Sequence, residues 1–221
     1  DIDNLSVQPA KESMPYIHDV IKLIRAELPK DIPLIGFGGA PFTLASYAIE
    51  GKGSRNYVFV KQMMYGDTGA WHGLMEKITD TVIDYMNYQI DSGVQAVQLF
   101  DSWVGTLSPS DYREYVMPHS QRMMKEITGR VPVIHFGTGN PALAPLMAEA
   151  GGDVLALDWR TPLLETWNAT GVKSVQGNMD PIILCADKAS VKRKAKEVLD
   201  EVDGRPGHIF NLGHGIIPET P

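Results

Sequence analysis

Short runs of apolar, largely β-branched residues recur along the chain, each bounded by Gly or Pro: Pro33 to Phe37, Val94 to Phe100, Val131 to Phe136, Val154 to Leu157, Ser174 to Gln176 and His208 to Leu212. Runs of this length and punctuation predict six strands. Between and before them lie longer segments whose apolar residues return at helical spacing: Met14 to Leu28, Thr43 to Ile49, Ala70 to Ile90, Tyr112 to Ile127, Ala142 to Ala150, Leu163 to Ala169 and Val191 to Val202. A parallel neighbour is reached only through a crossover, so strands alternating with helices predict a parallel sheet with helical connections.

Each predicted strand is followed within a few residues by a proline: Pro41, Pro109, Pro141, Pro162, Pro181 and Pro218. Proline is pre-organised for the first helical position, so these residues are expected to open the crossover helices. Just ahead of them stand the polar residues of the strand ends: Asp101 and Ser102, His135, Asp158 and Arg160, Asn178 and Asp180, and His214. Ligands of barrels and open α/β sheets bind at that end. A closed (β/α)8 barrel takes about 250 residues and eight units. The chain has 221 residues, six predicted strands and no room for a helix after the sixth. The expectation is therefore one α/β domain over residues 1–221, an incomplete TIM barrel holding six of eight βα units. The strong helix before the first strand puts the two missing units on the N-terminal side, with a last helix missing from the other end. Unpaired edges are then expected near Leu34 and Phe210. An open doubly wound sheet is the competing architecture.

Hydrophobic residues at 43% and charged residues at 21% exclude a disordered or collagen-like chain. A net charge of −7 with no long basic run argues against nucleic acid, although a locally basic cleft can still take an anionic ligand. No apolar stretch reaches about 18 residues and the first residues lack a signal-peptide pattern, so no membrane association is expected. Cys185 is the one cysteine, which points to a reducing, cytoplasmic compartment and leaves no thiolate-rich metal site. A start without Met and an end at Pro218-Glu219-Thr220-Pro221 fit a piece of a longer polypeptide.

Gly137-Thr138-Gly139-Asn140-Pro141-Ala142 has the G-x-G-x-x-A form of a dinucleotide fingerprint, with Asp158 at about the usual distance. The competing reading is a loop turning under a barrel mouth. His135 and His214 end strands, but a zinc site needs further ligands and no His-x-Cys or Cys-x-x-Cys spacing is present, so no metal is expected. No lysine stands at a strand end for Schiff-base chemistry. His214, between Gly213 and Gly215, reads either as a ligand-facing residue or as a hydrogen-bonded structural one. Ser102 lacks a nucleophile elbow, which favours binding over attack. Thr43 and Tyr47, four residues apart on one predicted helix, can point their hydroxyls the same way, unless the tyrosine is simply core.

The segment Gly36-Phe37-Gly38-Gly39-Ala40-Pro41-Phe42-Thr43-Leu44-Ala45-Ser46-Tyr47-Ala48-Ile49-Glu50-Gly51 resembles the signature of the uroporphyrinogen decarboxylases of haem biosynthesis. The resemblance continues through Leu99-Phe100-Asp101-Ser102, Leu157-Asp158-Trp159, Gln176-Gly177-Asn178-Met179-Asp180-Pro181 and Asn211-Leu212-Gly213-His214-Gly215. It implies a cytoplasmic, homodimeric (β/α)8 barrel that removes CO2 from the acetate groups of uroporphyrinogen III to give coproporphyrinogen III with no cofactor, the pyrrole being the electron sink. Carried over, Tyr47, Ser102 and His214 bind the tetrapyrrole substrate, and Phe37 and Phe100 wall it. The family's arginine-rich motif with its proton donor, and its central aspartate, belong to the two missing units, whether unobserved, cleaved or supplied by a separate N-terminal fragment. Two alternatives stand beside this: a non-catalytic tetrapyrrole-binding barrel, and a relative of the corrinoid-dependent methyltransferases. The second is disfavoured because His135-Phe136-Gly137 replaces a zinc-binding His-x-Cys.

Overall fold

A computed structural model describes residues 2–127 and 129–221. Its six strands are β1 (Ile35–Gly39), β2 (Ala96–Asp101), β3 (Val133–Gly137), β4 (Val154–Leu157), β5 (Ser174–Met179) and β6 (His208–Leu212). Each pairs in parallel with its successor, in the order β1-β2-β3-β4-β5-β6. A doubly wound sheet reverses its strand order at a switch point, and this one does not. Among the described residues β1 and β6 each have a single strand neighbour, which leaves the edges expected near Leu34 and Phe210.

Helices α1 (Ala10–Ser13) and α2 (Tyr16–Glu27) precede β1, and α3 (Pro41–Glu50), α4 (Val58–Gly66) and α5 (Thr68–Ser92) lie between β1 and β2. After β2, α6 (Pro109–Asp111) runs through a π-helical stretch, Tyr112–Val116, into α7 (Met117–Ile127). The later crossovers are α8 (Ala144–Ala150), α9 (Leu163–Thr170) and α10 (Lys188–Val202). Helix α4 has no counterpart in the sequence reading. Of the six prolines, Pro41 and Pro109 open helices and Pro141 and Pro181 open 3₁₀ turns. Pro162 is instead the residue just before α9, and Pro218 starts no helix.

Successive strand residues point to opposite faces of the sheet. Val97, Leu99 and Val133 pack with Val82 and Met86 of α5 and Met123 and Ile127 of α7. Leu155, Leu157 and Val175 continue that face into the larger cluster holding Met147 of α8 and Trp167 of α9. The opposite parity carries a separate small cluster, Ile134, Phe136, Val154 and Ala156, with Phe100 against it. The helices thus cover one face and leave the other uncovered.

This parity corrects the reading of His135. It lies in register with Leu99 and Leu155, on the helix-covered face, and β3 continues past it to Gly137. It is fully buried, burial pushes its imidazole down to about 4, and it takes no part in the strand-end constellation.

Candidate functional site

Two adjoining cavities open at the C-terminal ends of the strands. One, of about 480 Å³, lies on the uncovered face against Gln98, Phe100, Phe136, Gln176 and Asn211. The other, of about 420 Å³, lies under the α3–α4 loop against Arg55, Tyr57, Trp103, Trp159 and Arg160. Ser102 and His214 line both, so the two strand-end residues singled out in the sequence stand where the cavities meet.

Phe100, Phe136 and His214 line the larger cavity and belong to a row of rings that Phe37 extends beyond it. Phe37 meets Phe100 at 6.1 Å, Phe100 meets Phe136 at 5.7 Å and Phe136 meets His214 at 6.0 Å, each pair steeply inclined or edge to face. The rings come from β1, β2, β3 and the segment after β6, so the row follows three neighbouring strands and then passes over β4 and β5 to His214. Phe136 was not anticipated as a wall, although its register opposite Phe100 marks it.

At the end of β2, helix α3 holds the turn that carries Ser102. The Thr43 hydroxyl donates to Oδ1 of Asp101 at 2.9 Å and accepts from the Trp103 N–H at 3.3 Å. One turn on, Tyr47 meets the Trp103 ring edge-on at 5.9 Å, and Tyr57 packs against the same ring at 5.9 Å. Thr43 and Tyr47 therefore do different work: the first is buried beneath the turn, the second exposed beside it. Tyr47 reaches the smaller cavity through Trp103, whereas Ser102 and His214 line both cavities directly. Asp101 is fully buried with Oδ2 unpartnered, and burial, partly offset by the hydrogen bonds from Thr43, pushes its carboxyl up to about 7.

Asp158, at the end of β4, ties the other side of the site together. It accepts from the Thr138 hydroxyl at 2.6 Å, the Gly139 N–H at 2.8 Å, the Arg160 N–H at 3.1 Å and the Arg160 guanidinium at 2.7 Å. Burial alone would raise its pKa, but these bonds outweigh burial and hold it below the usual carboxylate value. The Gly139 N–H that a pyrophosphate would need is thereby committed to a carboxylate, so the glycine-rich segment is a loop under the mouth of the site. A Cβ on Gly105 would collide with the Thr138 carbonyl, which explains a glycine where that loop meets the β2 side. Gly213 is pressed against the backbone of Asp158 and Trp159, and its N–H donates to the Met179 carbonyl at 2.7 Å, so His214 follows a fixed backbone. Gly215, with open space around it, has no such constraint.

Among the described residues no three His, Cys, Asp or Glu side chains are placed to hold a metal ion. Among the same residues no helix is long and apolar enough to cross a membrane.

The family model described as uroporphyrinogen decarboxylase (URO-D) matches residues 1–221. Among curated relatives, the uroporphyrinogen decarboxylase of Sorangium cellulosum is 52% identical over 223 residues, covering 100% of this chain and 64% of that protein. The proteins of the same name from Carboxydothermus hydrogenoformans and Thermus thermophilus are 51% and 50% identical, covering 100% and 96% of this chain and 64% and 62% of their own lengths. The chain thus spans somewhat less than two thirds of these relatives. Among solved structures, a methyltransferase from Methanosarcina mazei superposes with a TM-score of 0.85 at 20% identity, over 100% of this chain and 65% of that one. At that identity the likeness is one of fold.

Proposed function

The chain belongs to the uroporphyrinogen decarboxylase family, and from that premise we propose that it forms the substrate-facing part of an enzyme that decarboxylates the acetate groups of uroporphyrinogen III to coproporphyrinogen III. The observation that carries this reading is the row Phe37, Phe100, Phe136 and His214 on the face the helices leave bare, beside Ser102. The apolar faces of pyrrole rings, joined in a porphyrinogen by saturated methylene bridges, match such a floor, and edge-to-face rings are a favourable geometry for them.

The reaction needs a proton at the pyrrole α-carbon next to the ring carbon that bears the acetate. The ring becomes cationic, the electrons of the bond to the carboxylate form an exocyclic methylene on it as CO2 leaves, that methylene takes a proton to become a methyl group, and the α-carbon gives its proton back to restore the pyrrole, so that one proton is taken up for each CO2 released. Within this chain, Ser102 donates to a substrate oxygen, His214 hydrogen-bonds a carboxylate or approaches a pyrrole, and Tyr47 binds at the rim while fixing Trp103. The proton donor and the aspartate that receives the pyrrole N–H groups are assigned to two βα units preceding β1, which would also complete the barrel. No cofactor is invoked. Homodimerisation and a cytoplasmic location are part of the same proposal, resting on the family resemblance and the single exposed thiol, Cys185.

The test is decarboxylation of uroporphyrinogen III by the intact protein, followed by chromatography of the products and by released CO2. Stepwise conversion to coproporphyrinogen III is expected. Tight tetrapyrrole binding without CO2 release would instead establish a non-catalytic binding barrel.

A further inference from the structure

The smaller cavity has a charge character opposite to that of the whole chain. Net charge is −7, yet the residues lining this cavity include Arg55 and Arg160 and no Asp or Glu. Arg160 is held on two sides: its guanidinium carbon stands 3.9 Å over the Trp159 ring, and one Nη donates to buried Asp158 at 2.7 Å. Asp158 is itself satisfied by donors from Thr138, Gly139 and the Arg160 backbone, so it takes only one of the five guanidinium N–H groups. The remaining edge of a planar, pre-oriented fork is the arrangement that receives a carboxylate in a bidentate way. Arg55, on the exposed α3–α4 loop across the cavity lining, has no ion pair or hydrogen bond among the described residues. Its charge is uncommitted.

We propose that this cavity is a carboxylate subsite, in which Arg160, clamped by Asp158 and Trp159, and Arg55 receive a rim carboxylate of a tetrapyrrole seated on the neighbouring aromatic face. The proposal rests on the functional reading above and adds a specificity determinant to it. Ser102 and His214, shared by both cavities, mark the passage from macrocycle to rim. Because the subsite holds a carboxylate other than the one being lost in that turnover, it acts on binding.

The test uses the intact protein with uroporphyrin III, the fluorescent oxidised macrocycle, as the binding probe, and uroporphyrinogen III for turnover. Arg160→Gln and Arg55→Gln are each expected to weaken uroporphyrin binding about 10- to 100-fold, as the loss of a charge-assisted hydrogen bond implies. KM should rise while kcat stays within about two-fold, the signature of lost uniform binding. Arg160→Lys should recover part of the loss, because it restores the charge and not the fork. Wild-type affinity should fall with added salt more steeply than that of Arg55→Gln. If the wild type binds uroporphyrin and both Gln variants bind equally well, the subsite is refuted while the functional reading stands. If the wild type neither binds uroporphyrin nor turns over uroporphyrinogen III, the functional reading falls and the subsite with it; if it turns over without binding the oxidised probe, unchanged KM in both Gln variants refutes the subsite. Should Arg160→Gln fail to fold, Arg55→Gln decides, since Arg55 supports no other residue; unchanged affinity there overturns the proposal.

Discussion

Gly213 determines where His214 stands, because its α-carbon leaves no room for a side chain against Asp158 and Trp159. Gly213→Ala should cost about 1–3 kcal/mol in a thermal or urea melt, the usual range for forcing an extra carbon into packed structure, and should weaken tetrapyrrole binding by displacing His214. His214→Gln keeps the backbone and removes one ring. Losing a hydrogen bond to a charged group costs about 1.5–3 kcal/mol, so binding should drop roughly 10- to 100-fold with turnover retained; complete loss of turnover in the folded variant would make His214 the proton donor instead. Asp101 makes a pH prediction. Its carboxyl is pushed from an ordinary value of 3.8 to about 7 in the folded chain, so between those values the folded state holds a proton that the unfolded state has lost. Its contribution to stability is full below about pH 4 and disappears as pH rises through 7. Asp101→Asn should therefore gain melting temperature over wild type at pH 8 relative to pH 5. Ser102 and His214 were legible in the sequence because position after a strand is a one-dimensional property. His135 was misplaced because facing the ligand depends on strand parity and on where the strand ends. Arg55 gave no signal at all, being one arginine in a loop whose place over the cavity is set by α3 and α4.

Among the elements, α4 was invisible for a local reason. The residue before it, Tyr57, has φ 51° and contributes no side-chain cap. The first N–H groups are instead taken by Oε1 of Glu50, from the end of α3, at 3.0 Å to Phe59 and 3.2 Å to Val60. A cap supplied from another helix leaves no start signal in the neighbouring sequence. The long helices α5 and α7, by contrast, show their apolar stripes plainly. Where they cross, Nδ1 of His72 lies 2.8 Å from Nε2 of His119, so one ring donates and the other accepts. Burial, and then the nearness of His72 and Arg122, brings His119 from an ordinary 6.5 down to about 4. The folded state thus binds fewer protons than the unfolded one across that window, and stability is lost as pH falls from 6.5 toward 4. His119→Gln should flatten the pH dependence of the melting temperature between pH 6.5 and 4.5; an unchanged slope would remove this pair from the account of acid sensitivity.

For the whole molecule, the pattern of apolar runs predicts six strands, and six strands pair in sequence order in one parallel sheet. The open edges follow from that count. They are not equivalent, however. Leu34 O accepts from Gln95 and Ala40 N donates to Phe100, so Phe37, of the other parity, faces away from β2. Gln89 of α5 takes both its N–H, at 3.1 Å, and its C=O, at 3.0 Å. Among the described residues no comparable side chain covers β6, where Ile209 and Phe210 are exposed. The 221 residues expressed alone should accordingly self-associate through β6, seen as concentration-dependent sedimentation, and Phe210→Lys should suppress it. The unbroken strand order has a further consequence, in time instead of space. Every strand pairs with the one made just before it, so each unit finds its partner already present as synthesis proceeds, and sheet growth never waits for a distant segment. Each pairing still closes a whole crossover, as between Ile35 and Ala96, so it is slower than closing a hairpin. In a barrel of this winding the only late event is the meeting of first and last strands, and that single step is where slow folding, and rescue by a chaperone, should concentrate.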